Sequence, residues 1–385
     1  MISINRQTTF SWQALGSTSV NDFFFSDSGQ TKHRRENGFG YAFDYNRNGR
    51  HLVLDLSGIG RTLFFRTAVG FQTRVNYNRE SLLVQYTTEP KPKARIISFE
   101  IYDYPSILYD WQGRARLANN EIQAIVNLRH QIKLDGGFDN GYERLFEEEF
   151  GAKRQPGFNC VVTNNCTFAG ASGERATYNG KVYGVATLNP NKMFRIFFLA
   201  QSFHGVFDLD FGAGQRYPRV SPTALSAARV AQAGSCNLAS PPAVCNAPLD
   251  PGPGRMFSMN TNIDYRPAAP LDLNLDFTKQ RLRRNDTGLL AFDENIITFK
   301  TTYQFTRFVF VRGRIDFDSL AANAKAQFLF GWTPTPGTVF YVGYNDDVNR
   351  RGFNPFTGQL EPGLRQNGRT FFIKMSYLVR RGFGS

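Results

Sequence analysis

The residues with the most obvious catalytic chemistry lie near the middle of the chain. Ser202 and His204 are two residues apart, and Asp208 follows them. A serine beside a histidine can act as a nucleophile with its general base. On a β-strand, however, residues i and i+2 stand about 6–7 Å apart, too far for a direct hydrogen bond between their side chains. We therefore expect a polar strand face lining the interior here, and we predict no catalytic residue and no enzymatic activity.

Two acidic groups offer a second possibility. Asp346 and Asp347 could bind Ca²⁺ or act as an acid and base pair. Adjacent residues of a strand point to opposite faces, so we expect solvated charges at a rim instead. Glu147–Glu149 is an acidic run typical of a solvated loop. With no glycine-rich phosphate loop and no HExxH motif, the sequence predicts no metal site and no cofactor.

Basic residues exceed acidic ones, 45 against 32, which gives a formal charge of +13. Nucleic-acid binding would need a basic patch with a recognisable motif, and neither is present, so no nucleic-acid partner is predicted. Six basic residues instead share the polar side of alternating segments, where they would line an aqueous interior and favour anionic solutes. They are Lys300, Arg312, Arg314, Lys325, Lys374 and Arg380.

The four cysteines form two close pairs, Cys160 with Cys166 and Cys236 with Cys245. Both pairs lie in loops rich in Gly, Pro, Asn and Ser, without the His partners or tight spacing of a zinc site. Two local disulfides are the expectation, and they imply an oxidising compartment. Four cysteines allow three connectivities, and free loop thiols are the alternative.

The elements that must position these residues are strands. Alternation of apolar and polar residues runs from end to end, as in LDLNLDFT at 271–278. The 37 Phe, 16 Tyr and 3 Trp exclude a disordered chain. No apolar stretch approaches the roughly 18 residues of a membrane-spanning helix. The N-terminus also lacks the pattern of a signal peptide.

Sixteen alternating segments are predicted, with short connections at one end and mostly long ones at the other. The long connections are 16–36, 58–75, 146–172, 214–252 and 348–367. Sandwich strands average about five to six residues, whereas these are longer. The pattern predicts an all-β fold: a transmembrane antiparallel β-barrel of about 16 strands, with short periplasmic turns and long extracellular loops. The predicted segments are 5–15, 37–46, 50–57, 76–88, 93–109, 113–127, 129–145, 173–188, 191–213, 253–267, 270–283, 291–305, 307–318, 322–333, 337–347 and 368–381.

Aromatic residues near the predicted strand ends suit the girdles at a membrane interface. Those assigned to a girdle are Trp332, Tyr341, Phe372 and Tyr377. For loop aromatics a role in sugar stacking is an equal alternative. These are Tyr109, Trp111, Phe353 and Phe356.

Two segments resemble a known family. VFYVGYNDD at 339–347 is followed by a long loop and by FFIKMSYLVR at 371–380, and the stretch 66–92 adds a second match. They resemble the C-terminal barrel, a domain of unknown function, of Gram-negative outer-membrane proteins described as carbohydrate-binding family nine-like. The resemblance implies an integral outer-membrane location and no established activity. It also implies that the chain is either a fragment or one barrel segment of a longer protein, because members begin with a signal peptide and a periplasmic β-sandwich.

Together these observations predict a single barrel domain over 1–385. The expected partners are the lipid bilayer and lipopolysaccharide, the barrel-assembly machinery, and other outer-membrane proteins. The leading functional hypothesis is a pore or gated channel for small, anionic or saccharide solutes, with the 214–252 loop folded inward. The alternative is an anchor or receptor whose lumen is plugged and whose loops bind glycan or a partner protein. The first and last strands either pair with each other or meet strands outside this chain.

Overall fold

The structure is a computed structural model that describes residues 2–5, 7–25, 28, 30–67, 74–151, 154, 166–214, 216–232, 247–335, 337–350 and 363–378. These residues form one antiparallel sheet, with one short strand followed by sixteen long ones. The strands are β1 (Ile2–Asn5), β2 (Thr8–Phe25), β3 (Gln30–Asn48), β4 (Leu52–Arg61), β5 (Tyr77–Thr87), β6 (Ile96–Tyr109), β7 (Ala115–Leu128), β8 (Ile132–Phe146), β9 (Glu174–Asn191), β10 (Phe194–Asp208), β11 (Gly252–Ala268), β12 (Leu271–Arg284), β13 (Leu290–Thr306), β14 (Val309–Asp318), β15 (Asn323–Thr335), β16 (Thr338–Arg350) and β17 (Leu364–Tyr377).

Helical structure is a minor part of the described residues. It consists of one α-helix, α1 (Pro222–Gln232), and one 3-10 turn, Glu147–Glu149. Neither of these two elements has the length and apolar composition that a membrane-crossing helix needs.

Each strand pairs with the next one along the chain. The β12–β13 ladder joins Leu275 to Phe299, and the β13–β14 ladder joins Phe299 to Ile315. Because consecutive strands are antiparallel neighbours, the sheet is an up-and-down meander, the topology of outer-membrane barrels. The predicted all-β fold class with sixteen long strands is confirmed.

The two ends of the sheet differ. At one end, connections such as 49–51, 192–193 and 307–308 contain only two or three residues. At the other end, the connections at 147–173 and 209–251 are long. Short turns on the periplasmic side and long loops on the extracellular side are the pattern of a transmembrane barrel.

The predicted long loop over 16–36 is wrong. Strands β2 and β3 continue through it as a ladder that ends with Phe25 opposite Gln30. The tip is supported by the segment after β4, since Phe23 is buried and its ring meets Phe64 edge-on at 5.4 Å. The polar residues near the middle of this stretch led to the prediction of a loop. They form a long hairpin instead, because cross-strand hydrogen bonds come from the backbone and do not depend on apolar side chains.

The sheet has an apolar face and a polar face. On β13, Ile297, Phe299 and Phe305 point one way and are exposed, although a soluble sandwich would bury them. Ile315 and Phe328 continue this surface and are 54% and 50% exposed. We call this the outer face and the opposite one the inner face. A continuous band of exposed apolar side chains is the surface that a bilayer covers.

Candidate functional site

The inner face collects the basic residues that alternation predicted. Lys300 lies opposite Arg314, and Thr302 lies opposite Arg312, across the β13–β14 ladder. The register of β15 and β17 places Lys325 and Lys374 on the same face. We call Lys300, Arg312, Arg314, Lys325 and Lys374 the basic wall. Arg380 lies outside the described residues.

Carboxylates offset part of this wall. The Lys300 ammonium lies 3.0 Å from Asp276, and the Arg314 guanidinium donates two hydrogen bonds to Asp316, at 2.7 and 3.0 Å. Arg312 instead stacks on the Phe310 ring at 4.7 Å. Among the described residues neither Arg312 nor Lys374 has a carboxylate partner. Within the basic wall, these two residues therefore carry most of the uncompensated positive charge.

A second part of the inner face is acidic. Glu121 on β7 and Asp139 on β8 face each other across one ladder. The Tyr183 hydroxyl donates to Glu121 at 2.7 Å, reaching over Gly137 on the intervening strand, where a Cβ would crowd the Tyr183 ring. Lys181 lies 3.4 Å from Glu121 and offsets part of this charge, and Asn179 donates to Glu143. An ion in the interior would therefore encounter both positively and negatively charged parts of the inner face.

The β10–β11 loop (209–251) folds onto the inner face at the long-loop end. Val220 in this loop packs with Leu282 and Ala291, and all three are buried. Leu282 belongs to the inner face because it continues the series of Asp276 and Gln280. The predicted inward fold of this loop is confirmed for its described part, and the apolar contact with the sheet explains it.

Helix α1 begins where this loop meets the wall. The Ser221 hydroxyl accepts a hydrogen bond from the Ala224 backbone N–H at 3.0 Å, and Pro222 occupies the first helical position. Both residue types are favoured at these positions. The same hydroxyl donates to Asp210 at 2.8 Å, which ties the start of the helix to the start of the loop.

Arg284, at the extracellular end of β12, holds the two ends of the β10–β11 loop. Its side chain is 1% exposed and donates to Asp208 at 3.0 Å, to the Asp250 carbonyl at 3.0 Å, and twice to Asp286, at 3.0 and 2.7 Å. We call Arg284, Asp208, Asp250 and Asp286 the Arg284 cluster. Hydrogen bonding from Arg284 holds the pKa of the Asp286 carboxyl below its usual value.

A second ion pair binds the middle of the loop. Asp210 is fully buried, and its carboxylate accepts from Arg219 at 2.6 Å and from the Asp250 N–H at 3.0 Å. Arg219 also donates to the carbonyls of Ala247 and Pro248. These contacts join residues separated by up to forty positions, so the described part of the loop is fixed to the rim.

The sequence prediction named only Asp208 among these residues, and in a different role, beside Ser202 and His204. Leu282 interrupts the alternation of β12, because it is an apolar residue on a face that otherwise carries Asp, Asn, Thr and Gln. That interruption was the available signal for a covering element. Nothing local distinguishes Asp210 from the other acidic residues.

The expected position of Ser202 and His204 is wrong. Ser202 lies beside Phe257 and Val182, and His204 lies beside Arg255, so both face outward rather than lining the interior. The reason is that β10 carries aromatic residues on both faces, so composition could not decide which side was inner. Asp346 and Asp347 do point to opposite faces, Asp346 to Arg369 at 3.0 Å and Asp347 toward Lys325 at 3.9 Å.

The assigned girdle divides between the two faces. Trp332 and Tyr377 lie on the outer face near the short turns, and Trp332 stacks on Phe340 at 5.4 Å. Tyr341 lies opposite Gly331 and Lys374, and Phe372 lies opposite Gly343. Both therefore point to the inner face, and their assignment to a lipid-facing girdle is corrected by the alternation of β16 and β17.

Three of the four cysteines and two of the loop aromatics lie outside the described residues. Cys166 is disulfide-bonded. Cys160, Cys236 and Cys245 lie outside the described part of the chain, as do Phe353 and Phe356, so the disulfide connectivity stays a prediction. Trp111 contacts Phe39 and Tyr41 edge-on, within an aromatic group on the outer face. Across the residues that the structure covers, no group of three or more His, Cys, Asp and Glu is placed to hold a metal.

Comparison with known proteins adds overall likeness only. No protein-family model and no curated protein matches the chain. Among solved structures, the copper transporter OprC has 10% identity and a TM-score of 0.38 over 98% of this chain and 70% of that one. The siderophore receptor PirA from Pseudomonas aeruginosa has 11% identity and a TM-score of 0.35, over 97% of this chain and 68% of that one. OmpT, an outer membrane protein from Vibrio cholerae, has 8% identity and a TM-score of 0.33, over 96% of this chain and 99% of that one. At these scores the likeness carries no argument about activity.

The class of protein follows from the sheet itself. Sixteen long antiparallel strands carry an exposed apolar face and a charged polar face, with short turns at one end and long loops at the other. Only a barrel lets a sheet expose such a face to lipid while its backbone stays hydrogen-bonded. The chain is an integral outer-membrane protein of the β-barrel class, with its long loops extracellular.

Proposed function

We propose that this protein forms a water-filled channel for small solutes, narrowed at its extracellular mouth by the β10–β11 loop. The observation that carries the proposal is the polarity of the inner face over the height of the sheet. On β13, Gln304, Thr302, Lys300 and Thr298 follow one another up the inner face. An interior of this kind suits water, and barrels of 16 strands enclose an aqueous channel unless something plugs them.

The solutes favoured by the basic wall are anions. Arg312 and Lys374 lack carboxylate partners among the described residues, and they share one face with Lys300 and Arg314. Positive charge in a narrow polar passage raises the local concentration of anions. Negatively charged saccharides and other small anions would therefore pass more readily than cations.

A second candidate is a receptor or anchor with a closed lumen. It is supported by the ion pairs that fix the β10–β11 loop against the inner wall, since Arg284 and Asp210 are buried in them. In this alternative the extracellular loops bind a glycan or a partner protein. Neither candidate includes a catalytic role, because Ser202 and His204 face outward.

The contacts proposed for the molecule in its membrane follow from its surface. The outer face would contact lipid, and the aromatic residues near the loops would contact lipopolysaccharide. The alternation of Phe371, Ile373, Met375 and Tyr377 on the last strand suits recognition by the barrel-assembly machinery. Membership of the carbohydrate-binding family nine-like barrels remains part of the proposal.

Single-channel recording in a planar bilayer under a salt gradient tests the channel. We expect stepwise openings with a reversal potential displaced toward that of the anion. The double variant Arg312→Gln, Lys374→Gln should move the reversal potential toward that of the cation. The double variant Lys279→Gln, Arg281→Gln removes two positive charges from the outer face of β12, so it serves as the matched control and should leave the reversal potential unchanged.

Three results would count against the channel. A folded wild-type protein that stays silent, together with a silent Arg284→Gln variant in which the loop is released, would favour the closed receptor. Openings with a cation preference would refute the assignment to anions. A double variant with the same selectivity as the wild type would show that the basic wall does not face the conducting path.

A further inference from the structure

A cavity lies between the β10–β11 loop and the inner wall at the extracellular mouth. Its volume is about 360 Å³, and it is bounded by the loop residues around Asp208 and Val220 and by strands β12 and β13. That volume is at the lower end of the range for small-molecule sites, enough for one or two rings. It is separate from the basic wall, since Lys300 lies six residues further down β13 than Glu294, about 20 Å along the strand.

The walls of the cavity are mainly apolar. Leu282 and Phe292 come from the sheet, Val220 from the loop, and Ala291 from the bulge at the start of β13. Leu282, Ala291 and Val220 are each less than 10% exposed, so this part of the cavity wall is shielded from solvent. An apolar group of matching size would be stabilised there by the loss of its contact with water.

Two polar side chains on the wall remain free for a ligand. Gln280 and Glu294 lie directly opposite each other on β12 and β13. Among the described residues neither side chain has a hydrogen-bond partner. The other charges at the cavity are already engaged, Asp208 by Arg284 at 3.0 Å and Arg219 by Asp210 at 2.6 Å.

The free charge at the site is therefore negative. Asp318, which faces inward one step from Glu294 across the β13–β14 ladder, adds a second carboxylate to the local field. A bound anion would be repelled, whereas an ammonium group would donate hydrogen bonds to the Glu294 carboxylate and to the Gln280 carbonyl oxygen.

We propose that this cavity is a binding site for small amphipathic amines. The aromatic or branched body lies against Leu282, Phe292 and Val220, and the ammonium group pairs with Glu294. The site does not depend on conduction, since a protein with a closed lumen would also hold it.

Calorimetric titration of the purified, folded protein with tryptamine tests the proposal. Indole-3-ethanol and indole-3-acetate carry the same ring with a neutral and an anionic group. We expect saturable binding of tryptamine, binding at least tenfold weaker for the alcohol, and none for the acid. Glu294→Gln keeps the shape of the cavity wall and should weaken the binding of tryptamine at least tenfold. Glu121→Gln, which changes an inner-face carboxylate on β7, should leave it unchanged.

A second variant tests whether the ligand occupies the cavity, independently of the charge on Glu294. Ala291→Trp places a large ring in the cavity and should abolish binding, with heat-modifiable gel mobility as the check that the barrel has folded. If Ala291→Trp does not fold, the Glu294→Gln result still decides. The proposal is overturned if wild type shows only non-saturable partitioning, if the acid binds as well as the amine, or if Glu294→Gln binds tryptamine like wild type.

Discussion

Replacing Arg284 with glutamine should release the β10–β11 loop from the inner wall. The Arg284 side chain is 1% exposed and donates four hydrogen bonds to Asp208, Asp286 and the Asp250 carbonyl. Removing one partner of a buried ion pair costs about 3–5 kcal/mol, because the remaining charge is left without compensation. Asp286 is 38% exposed and can be solvated, so we expect the lower end, about 3 kcal/mol.

A cost of about 3 kcal/mol corresponds to roughly a hundredfold rise in the population of the released loop. Trypsin measures this population, because Arg216 and Arg229 lie in the loop and are cleaved when it opens. We expect roughly hundredfold faster cleavage between residues 209 and 232 at neutral pH. Arg281→Gln is the matched control, since Arg281 lies three residues away on the outer face, is 44% exposed and sits 3.7 Å from Asp293.

Cleavage of the Arg284→Gln variant at the wild-type rate, in a barrel that keeps its heat-modifiable mobility, would refute the reasoning. Equal acceleration by Arg281→Gln would also refute it, since general loosening of β12 would then explain the effect. If both variants fail to fold, amide hydrogen exchange of the wild-type loop at neutral and acidic pH remains as a test.

The pH dependence of the loop follows from Asp286. Hydrogen bonding from Arg284 lowers the pKa of this carboxyl in the folded protein. Its contribution to holding the loop is therefore fully present above the ordinary carboxyl pKa, about 3.9, and is lost as pH falls through the lower folded value. Amide exchange of residues 209–232, corrected for intrinsic rates, should stay constant from pH 8 to pH 5 and increase only below pH 4. An increase near pH 6 would contradict this assignment.

Two further predictions concern the wall of the barrel. Arg312→Gln should reduce anion preference more than Arg314→Gln, because Asp316 already offsets Arg314 at 2.7 Å; equal shifts in reversal potential would contradict this. Gly331→Val should lower barrel stability by about 1–3 kcal/mol, because the Phe310 ring occupies the space of a Cβ at residue 331. Gly16→Val, where that space is open, should cost less, and thermal unfolding that ranks the two equally would count against the packing argument.

Alternation in the sequence was sufficient to predict most of the strands and the polar series on β12–β14. Side chains on a strand alternate with period two, so LDLNLDFT already separates the Leu residues from the Asp residues before any partner strand is known. The same period placed Lys300, Arg312 and Arg314 on one face. It could not decide the face of Ser202 and His204, because β10 carries aromatic residues on both sides.

Only the tertiary structure decided what covers the inner wall and where the cavity lies. The Arg284 cluster joins residues 208, 250, 284 and 286, and Asp210 pairs with Arg219 and with the Asp250 N–H. Contacts of this range depend on where a long loop returns, and alternation carries no information about that path. The long β2–β3 hairpin shows the same limit, since ladder hydrogen bonds come from the backbone and are equally available to polar residues. Most strands of this protein are therefore determined locally, whereas its candidate binding site exists only after residues far apart in the chain have been brought together.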